Sequence, residues 1–504
     1  MSNPYIVLPI IFQLFLAVLL MFCWNQKNLQ KLISVVGSVI ALVIAGHLFA
    51  TVWNTGIQTT QAGDWVAPFG ITFVADSLSS LMVLLTAIAG LGVSVFSVGS
   101  VRNARVRFGY FAILHFLLMG LNGAFLAGDI FNLYVWFEII IISSFVLITL
   151  GGEKAQLEGA IKYVTMNLLA SVVFLTAIAI LYGLTGSLNM ADLAAKVAGI
   201  ENRGLVNVTA VLFLVGFGIK SAIFPLYFWL PASYHTPPPA ISAIFGGLLT
   251  KVGVYALLRV FTLIFIPDEF LITVISGIAA LTILSGGIGA LIQNNIRKIF
   301  SYLIICHIGF MLAGLGIYTE LAIVGVVFYL THDIIVKTNL FMVSGIIFKI
   351  KGTYSLRLLG DFYKDYPKLS LLMAVPLFSL VGIPPLSGFW AKVYLIQSGL
   401  STGQFLLVGF ILLGSLLTLI IIAQVWAGAF WKEGADLPKK KEIKYYDELR
   451  PIKRTAMISS VVFLSAVSLF IGLGAEYIIQ VAQAVAESLM NPEPYIHAVL
   501  GKNS

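Results

Sequence analysis

The sequence predicts an all-α, polytopic membrane protein, and three observations predict it. Hydrophobic residues make up 59% of the 504 residues and charged ones only 10%, against roughly 25% charged residues in a soluble domain. Apolar runs of about 20 residues recur along the chain, the length a helix needs to cross a core about 30 Å thick. The runs are unbroken rather than alternating, which excludes the strands of a barrel.

About fourteen transmembrane helices are expected, over 4–23, 32–54, 71–98, 108–128, 129–150, 161–186, 207–231, 240–263, 270–292, 299–317, 321–348, 369–398, 404–430 and 456–480. No basic residue precedes the first and no small-residue cleavage site follows it, so it reads as a retained span and not a signal peptide. Counting the loop between helices 1 and 2 as inside and alternating from there, 22 of the 30 basic residues fall inside and four outside. That bias orients the chain in the cell membrane with both termini on the outer side. It also accounts for the net charge of +8 without any nucleic acid. The basic stretch 432–454 reads as a solvated cytoplasmic loop near anionic lipid.

Four basic residues remain, Lys220, Lys251, Lys337 and Lys392, each in the middle of an apolar run, with a lone acid, Glu138, in another. A charge at bilayer depth costs at least about 2.5–3.5 kcal/mol, so such residues are expected to face inward, to be paired and to be functional. Lys251 lies roughly 16 Å from either end of its span, too far for its side chain to reach an interface, so a wet interior is expected around it. Two of the lysines sit beside helix breaks. Gly216 and Gly218 precede Lys220 and Pro225 follows it; Pro384, Pro385 and Gly388 precede Lys392. Either break read by itself is an ordinary packing kink, but a lysine beside each marks a transport pathway. The breaks fall in helices 7 and 12, which predicts two inverted five-helix repeats, helices 4–8 and 9–13. The chain then divides into 1–107 with helices 1–3, the first repeat 108–263, the second repeat 264–430, and 431–504 with the basic loop and helix 14.

Asp333 and Lys337 stand i,i+4 and can pair on one helix face. His332 and Lys337 are five apart, about 140° around a regular helix, and share a face only if a π-bulge intervenes. Glu138 paired with a lysine stays ionised, and separating the pair lets a desolvated lysine release its proton. His307 is a candidate relay; His115 and His235 are weaker ones, for which hydrogen-bonded packing serves equally well. Cys23 and Cys306 read as small packing residues, with no metal spacing. No phosphate-cradling loop, dinucleotide fingerprint or cysteine cluster occurs, so no cofactor is expected and the driving force must come from an ion gradient or from partners.

The segment Trp229-Leu-Pro-Ala-Ser-Tyr-His235-Thr-Pro-Pro-Pro239-Ala-Ile-Ser-Ala followed by Lys251, with Asn295-Ile-Arg-Lys-Ile-Phe-Ser301-Tyr302 and Gly382-Ile-Pro-Pro-Leu-Ser-Gly388-Phe, resembles the antiporter-like proton-translocating subunits. These occur in respiratory complex I, membrane-bound hydrogenases and Mrp multisubunit Na⁺/H⁺ antiporters. The resemblance covers nearly the whole chain and implies a proton-transfer axis of Glu138 with Lys220, then Lys251, then Lys337 and Lys392, with His332 beside it. The run His332-Asp-Ile-Ile-Val-Lys337-Thr-Asn-Leu-Phe looks most like the D subunits of Mrp antiporters. Complex I relatives more often place that histidine four before the lysine, and one of them carries glutamate where Lys392 stands. The chain is much shorter than the Mrp A subunits, and no lateral helix is expected after helix 14. The partners implied are Mrp subunits A, B, C, E, F and G, with protons and Na⁺ as the ions moved. The rival reading is a proton-pumping membrane-arm subunit of a redox complex.

Overall fold

A computed structural model describes residues 3–435 and 444–501. Residues 436–443 of the basic stretch and Lys502 lie outside the described residues. In chain order the helices are α1 Leu8–Phe22 and α2 Lys27–Thr55, then a hairpin of β1 Gln58–Gln61 and β2 Thr72–Ala75, then α3 Ser77–Ser100, α4 Asn103–Arg107, α5 Tyr110–Leu126, α6 Ile130–Thr149, α7 Lys154–Thr185 and α8 Met190–Ala198. They continue with α9 Arg203–Ser221, α10 Trp229–Ser233, α11 Pro239–Ile244, α12 Thr250–Leu263, α13 Glu269–Leu291, α14 Ile296–Ile317, α15 Glu320–Lys351 and α16 Phe362–Asp365. The last are α17 Pro367–Val381, α18 Ser387–Ser401, α19 Phe405–Trp426, α20 Pro451–Leu473, α21 Ala475–Met490 and α22 Glu493–Leu500. Among the described residues twelve helical stretches are long and apolar enough to cross a membrane, and α5 and α17 are shorter apolar helices. The chain is a multi-pass, helical membrane protein.

Three spans, 239–263, α14 and α15, are enclosed by protein almost all round, whereas α1, α2, α7 and α19 expose much of their surface. A helix that is apolar on every side must either be enclosed in this way or face lipid. Lys251, His307, Asp333 and Lys337 all sit on the three enclosed helices and are fully buried.

Several expected helices differ in detail. The run 71–98 opens as a strand, because Thr72–Ala75 pairs antiparallel with Gln58–Gln61 before Asp76 caps α3 through the Ser79 amide at 2.8 Å. The expected helix 456–480 is α20 and α21, parted at Gly474, and α22 follows; helices therefore do continue beyond α20. Gly472, just before the joint, fits against the backbone of 385–387, where a Cβ would overlap.

The basic-residue count placed Arg259 at an outside position, near the end of the expected span 240–263. It lies within α12, 4% exposed, and pairs with Asp76 at 2.6 Å. The Tyr495 ring of α22 lies 5.1 Å from its guanidinium. Removing one partner of a buried pair strands the other charge, which costs about 3–5 kcal/mol. Arg259→Ala is therefore expected to lower the thermal stability of the purified protein sharply. Adding Asp76→Asn, which keeps the cap and removes the stranded charge, should recover part of the loss; unchanged melting of the single variant would contradict this.

Candidate functional site

Each of Lys220, Lys251 and Lys392 stands beside a place where helical hydrogen bonding is interrupted. α9 runs unbroken through Gly216 and Gly218 and ends at Ser221, so Gly218 does not mark the break; the chain is irregular from Ala222 to Phe228, around Pro225. Ala222 caps α9 at φ +60° and Gly382 caps α17 at φ +84°. This left-handed conformation ends a helix and suits glycine best. Pro384 and Pro385 follow in the second break, as expected. Lys220 thus lies in the last turn before its break and Lys392 in the second turn after its own.

A carbonyl freed at bilayer depth must find a donor within the protein. Lys392 Nζ reaches back across its break to the Val381 carbonyl at 2.7 Å, and the Trp229 indole N–H reaches across the other to that of Ile219 at 3.0 Å. The third interruption is a π turn at Phe245–Leu249, where Lys251 Nζ donates to the Gly246 carbonyl at 2.8 Å. This turn sits against α15, since a Cβ on Gly247 would overlap the Thr338 hydroxyl.

The π-bulge that would bring His332 and Lys337 to one face is absent: α15 is a regular α-helix from Glu320 to Lys351. Its regular winding separates the two side chains. His332 Nδ1 meets Ser387 Oγ at 2.7 Å, and that hydroxyl lies 3.2 Å from Ser468 Oγ, itself 3.2 Å from Ser379 Oγ. Lys337 Nζ is buried without a hydrogen-bond partner.

The i,i+4 pair of Asp333 and Lys337 does not form either. Asp333 turns its Oδ2 to Lys251 Nζ at 2.6 Å and its Oδ1 to His307 Nδ1 at 3.2 Å. The π turn carries Lys251 into that position from the neighbouring helix. His307 Nε2 in turn lies 3.4 Å from Thr418 Oγ1. Lys251 Nζ is therefore held between this carboxylate and the Gly246 carbonyl. Beyond it, the Phe310 ring stands between His307, 5.6 Å away, and Lys392 Nζ, 5.5 Å away.

Glu138 and Lys220 do not form an ion pair. Lys220 Nζ sits 4.8 Å above the Phe137 ring and 3.4 Å from Ser171 Oγ, while Glu138 Oε1 is buried without a hydrogen-bond partner. Successive helical residues point about 100° apart, so turning Phe137 onto Lys220 turns Glu138 toward the half-buried side of α6. A cavity of about 20 Å³, lined by Lys220, Tyr163, Asn167, Trp229, Tyr234 and Val252, joins Lys220 to the helix bearing Lys251. It is large enough for about one water molecule.

The remaining histidines lie apart from this line. His115 joins Ser34 Oγ at 2.9 Å and Gln13 Oε1 at 2.7 Å, tying α5 to α2 and α1. His235 donates from Nδ1 to the Pro231 carbonyl at 2.7 Å and lines a cleft with Lys162 and Lys298. Ser387, Ser468, Ser379 and Thr418 escape sequence reasoning, since small hydroxyl residues are ordinary packing residues in membrane helices.

The model of the family described as NADH:quinone oxidoreductase/Mrp antiporter, TM, matches residues 127–418. The D subunit of the Na(+)/H(+) antiporter of Bacillus subtilis (strain 168) is 44% identical over 502 residues, 99% of each chain. The corresponding D subunit of Alkalihalophilus pseudofirmus is 42% identical over 499 residues, again 99% of each. Among solved structures, a chain of the Mrp complex from Dietzia sp. DQ12-45-1b matches with a TM-score of 0.90 at 28% identity, covering 98% of this chain and 99% of that one. With a family model spanning more than half of it and relatives aligned end to end, the chain belongs to the NADH:quinone oxidoreductase/Mrp antiporter transmembrane family.

Proposed function

We propose that this chain is the proton-translocating subunit of a multisubunit Na⁺/H⁺ antiporter and works in the cell membrane beside the other Mrp subunits, A, B, C, E, F and G. The observation that carries this reading is the end-to-end similarity to relatives named as D subunits of Na(+)/H(+) antiporters. The buried groups give the chain its part: protons pass from Lys220 to Lys251, then by Asp333, His307 and Lys337 to Lys392, with His332 on a hydroxyl branch. Glu138 sets the proton affinity of Lys220 by approaching and leaving it. The helix breaks near 222–228 and 382–386 are where half-channels from the two sides meet the line, one in each repeat, 108–263 and 264–430. Both termini face outward, as the distribution of basic residues indicates.

A desolvated lysine is a suitable station, because burial favours its neutral form and a neighbouring carboxylate restores the charged one. Small movements of Asp333 between partners then shift a proton without large motions of the backbone. The test is transport by the purified complex. An imposed pH gradient is expected to drive sodium exchange in vesicles with no electron donor present. Flavin or iron–sulfur absorbance in the same complex, with transport only on addition of a donor, would favour the membrane arm of a redox enzyme instead.

A further inference from the structure

Away from the lysine line the bundle holds a second polar space, a cavity of about 820 Å³. Its walls come from five connections: the end of α3 with α4, the turn before α7, the turn before α11, the start of α14 and the end of α15. All five belong to the side on which the basic residues gather.

Its charge is one-sided. Among the described residues, Arg102, Arg105, Arg297 and Lys349 face a single carboxylate, Glu153, and Arg105 already holds that carboxylate at 3.1 Å. Arg102 has no ion pair among the described residues, and Lys349 Nζ has only the Lys444 carbonyl at 3.3 Å. The positive-inside bias explains why cations gather at this face but not why they enclose a cavity.

Arg297 is the telling residue. It is 3% exposed, and its terminal nitrogen donates to the carbonyls of Tyr234 and Pro237 and to the Ser242 hydroxyl. Its guanidinium lies 5.1 Å from the Tyr354 ring, and its Nε–H has no acceptor. A buried charged donor left unpaired is costly, and like charges facing one space repel. One oxyanion in the cavity relieves both. Guanidinium groups match phosphate oxygens in geometry, and the volume falls within the ~300–1,000 Å³ usual for small-ligand sites.

We propose that this cavity binds a phosphate-bearing anion, with Arg297 and Arg102 donating to its oxygens and Lys349 supplying a further charge. The same chemistry is offered by the headgroup of an anionic phospholipid and by free phosphate from the cytoplasm.

The assembled complex is the material for the test, in wild-type form and with Arg102→Gln and Lys349→Gln together, at two positions that are not fully buried. The probes are inorganic phosphate in equilibrium binding, and phosphatidylglycerol retained from phosphatidylcholine vesicles that contain it. One of them is expected to bind the wild type saturably, and the double variant should weaken that binding at least ~10-fold. Binding of phosphate in the absence of phosphatidylglycerol assigns the free anion; phosphatidylglycerol that phosphate does not displace assigns the headgroup. The proposal is overturned if neither probe binds the wild type saturably, or if the assembled variant binds as tightly as wild type. It is equally overturned if an acidic side chain of another protein in the complex fills the cavity.

Discussion

Replacing Lys251 by methionine is expected to stop proton-coupled sodium transport and to destabilise the protein at the same time. The two effects have separate causes. Transport fails because the lysine joining Lys220 to the second half of the line can no longer hold a proton. Stability falls because Asp333, fully buried, loses the ammonium 2.6 Å away; leaving a buried charge unpaired costs about 3–5 kcal/mol. The double variant Lys251→Met with Asp333→Leu separates the two. An apolar replacement of a whole buried pair ranges from neutral to about 1–4 kcal/mol stabilising, so thermal unfolding should recover while transport stays absent. Recovery of transport with stability would mean that the pair is scaffolding and not a proton station.

Lys220→Ala and Glu138→Ala are expected to abolish coupled transport while leaving the complex assembled. Neither side chain is in an ion pair; Lys220 gives up one long hydrogen bond to Ser171 at 3.4 Å and its place over the Phe137 ring, and Glu138 Oε1 has no hydrogen bond to lose, so neither change strands a buried charge. A positioned proton-transfer group contributes roughly 10²–10⁴-fold in rate, and a loss of at least ~100-fold is the expected size. Lys220→Arg is the sharper variant, since arginine keeps the charge and the length but does not give up its proton. A proton station fails with arginine; a residue needed only for its positive charge would be rescued by it. Sodium-dependent proton movement in vesicles reads all three variants.

How much of this the sequence disclosed depended on whether a residue's partner was near it in the chain. The spans, the four lysines, Glu138 and the two proline breaks were legible because apolar runs and midspan charges are local signals. Asp333 was legible as a residue but not in its pairing. Spacing offered Lys337 on the same helix, whereas the π turn at 245–249 brings Lys251 from 82 positions away, and nothing in Phe-Gly-Gly-Leu-Leu states that it winds as a π turn. Sequence reasoning raised a π-bulge only as the condition for His332 and Lys337 to share a face, and the helix there is regular. Arg259 and Arg297 were counted only as charges of the outer and inner sides because each stands near a helix end; only tertiary packing encloses them, against Asp76 in one case and the 234–242 turn in the other. The joint at Gly474 was missed for the same reason, since the 385–387 backbone that packs beside it lies far off in sequence.

The most direct test is sodium uptake driven by an imposed pH gradient in vesicles holding the purified complex, comparing wild type with Lys337→Met. Lys337 is fully buried and its ammonium has no hydrogen bond or ion pair among the described residues, so methionine, of similar length, keeps the packing and strands no partner. If protons pass along the buried lysines, the assembled variant loses coupled uptake by at least ~100-fold. Uptake at the wild-type rate by that variant would contradict the account.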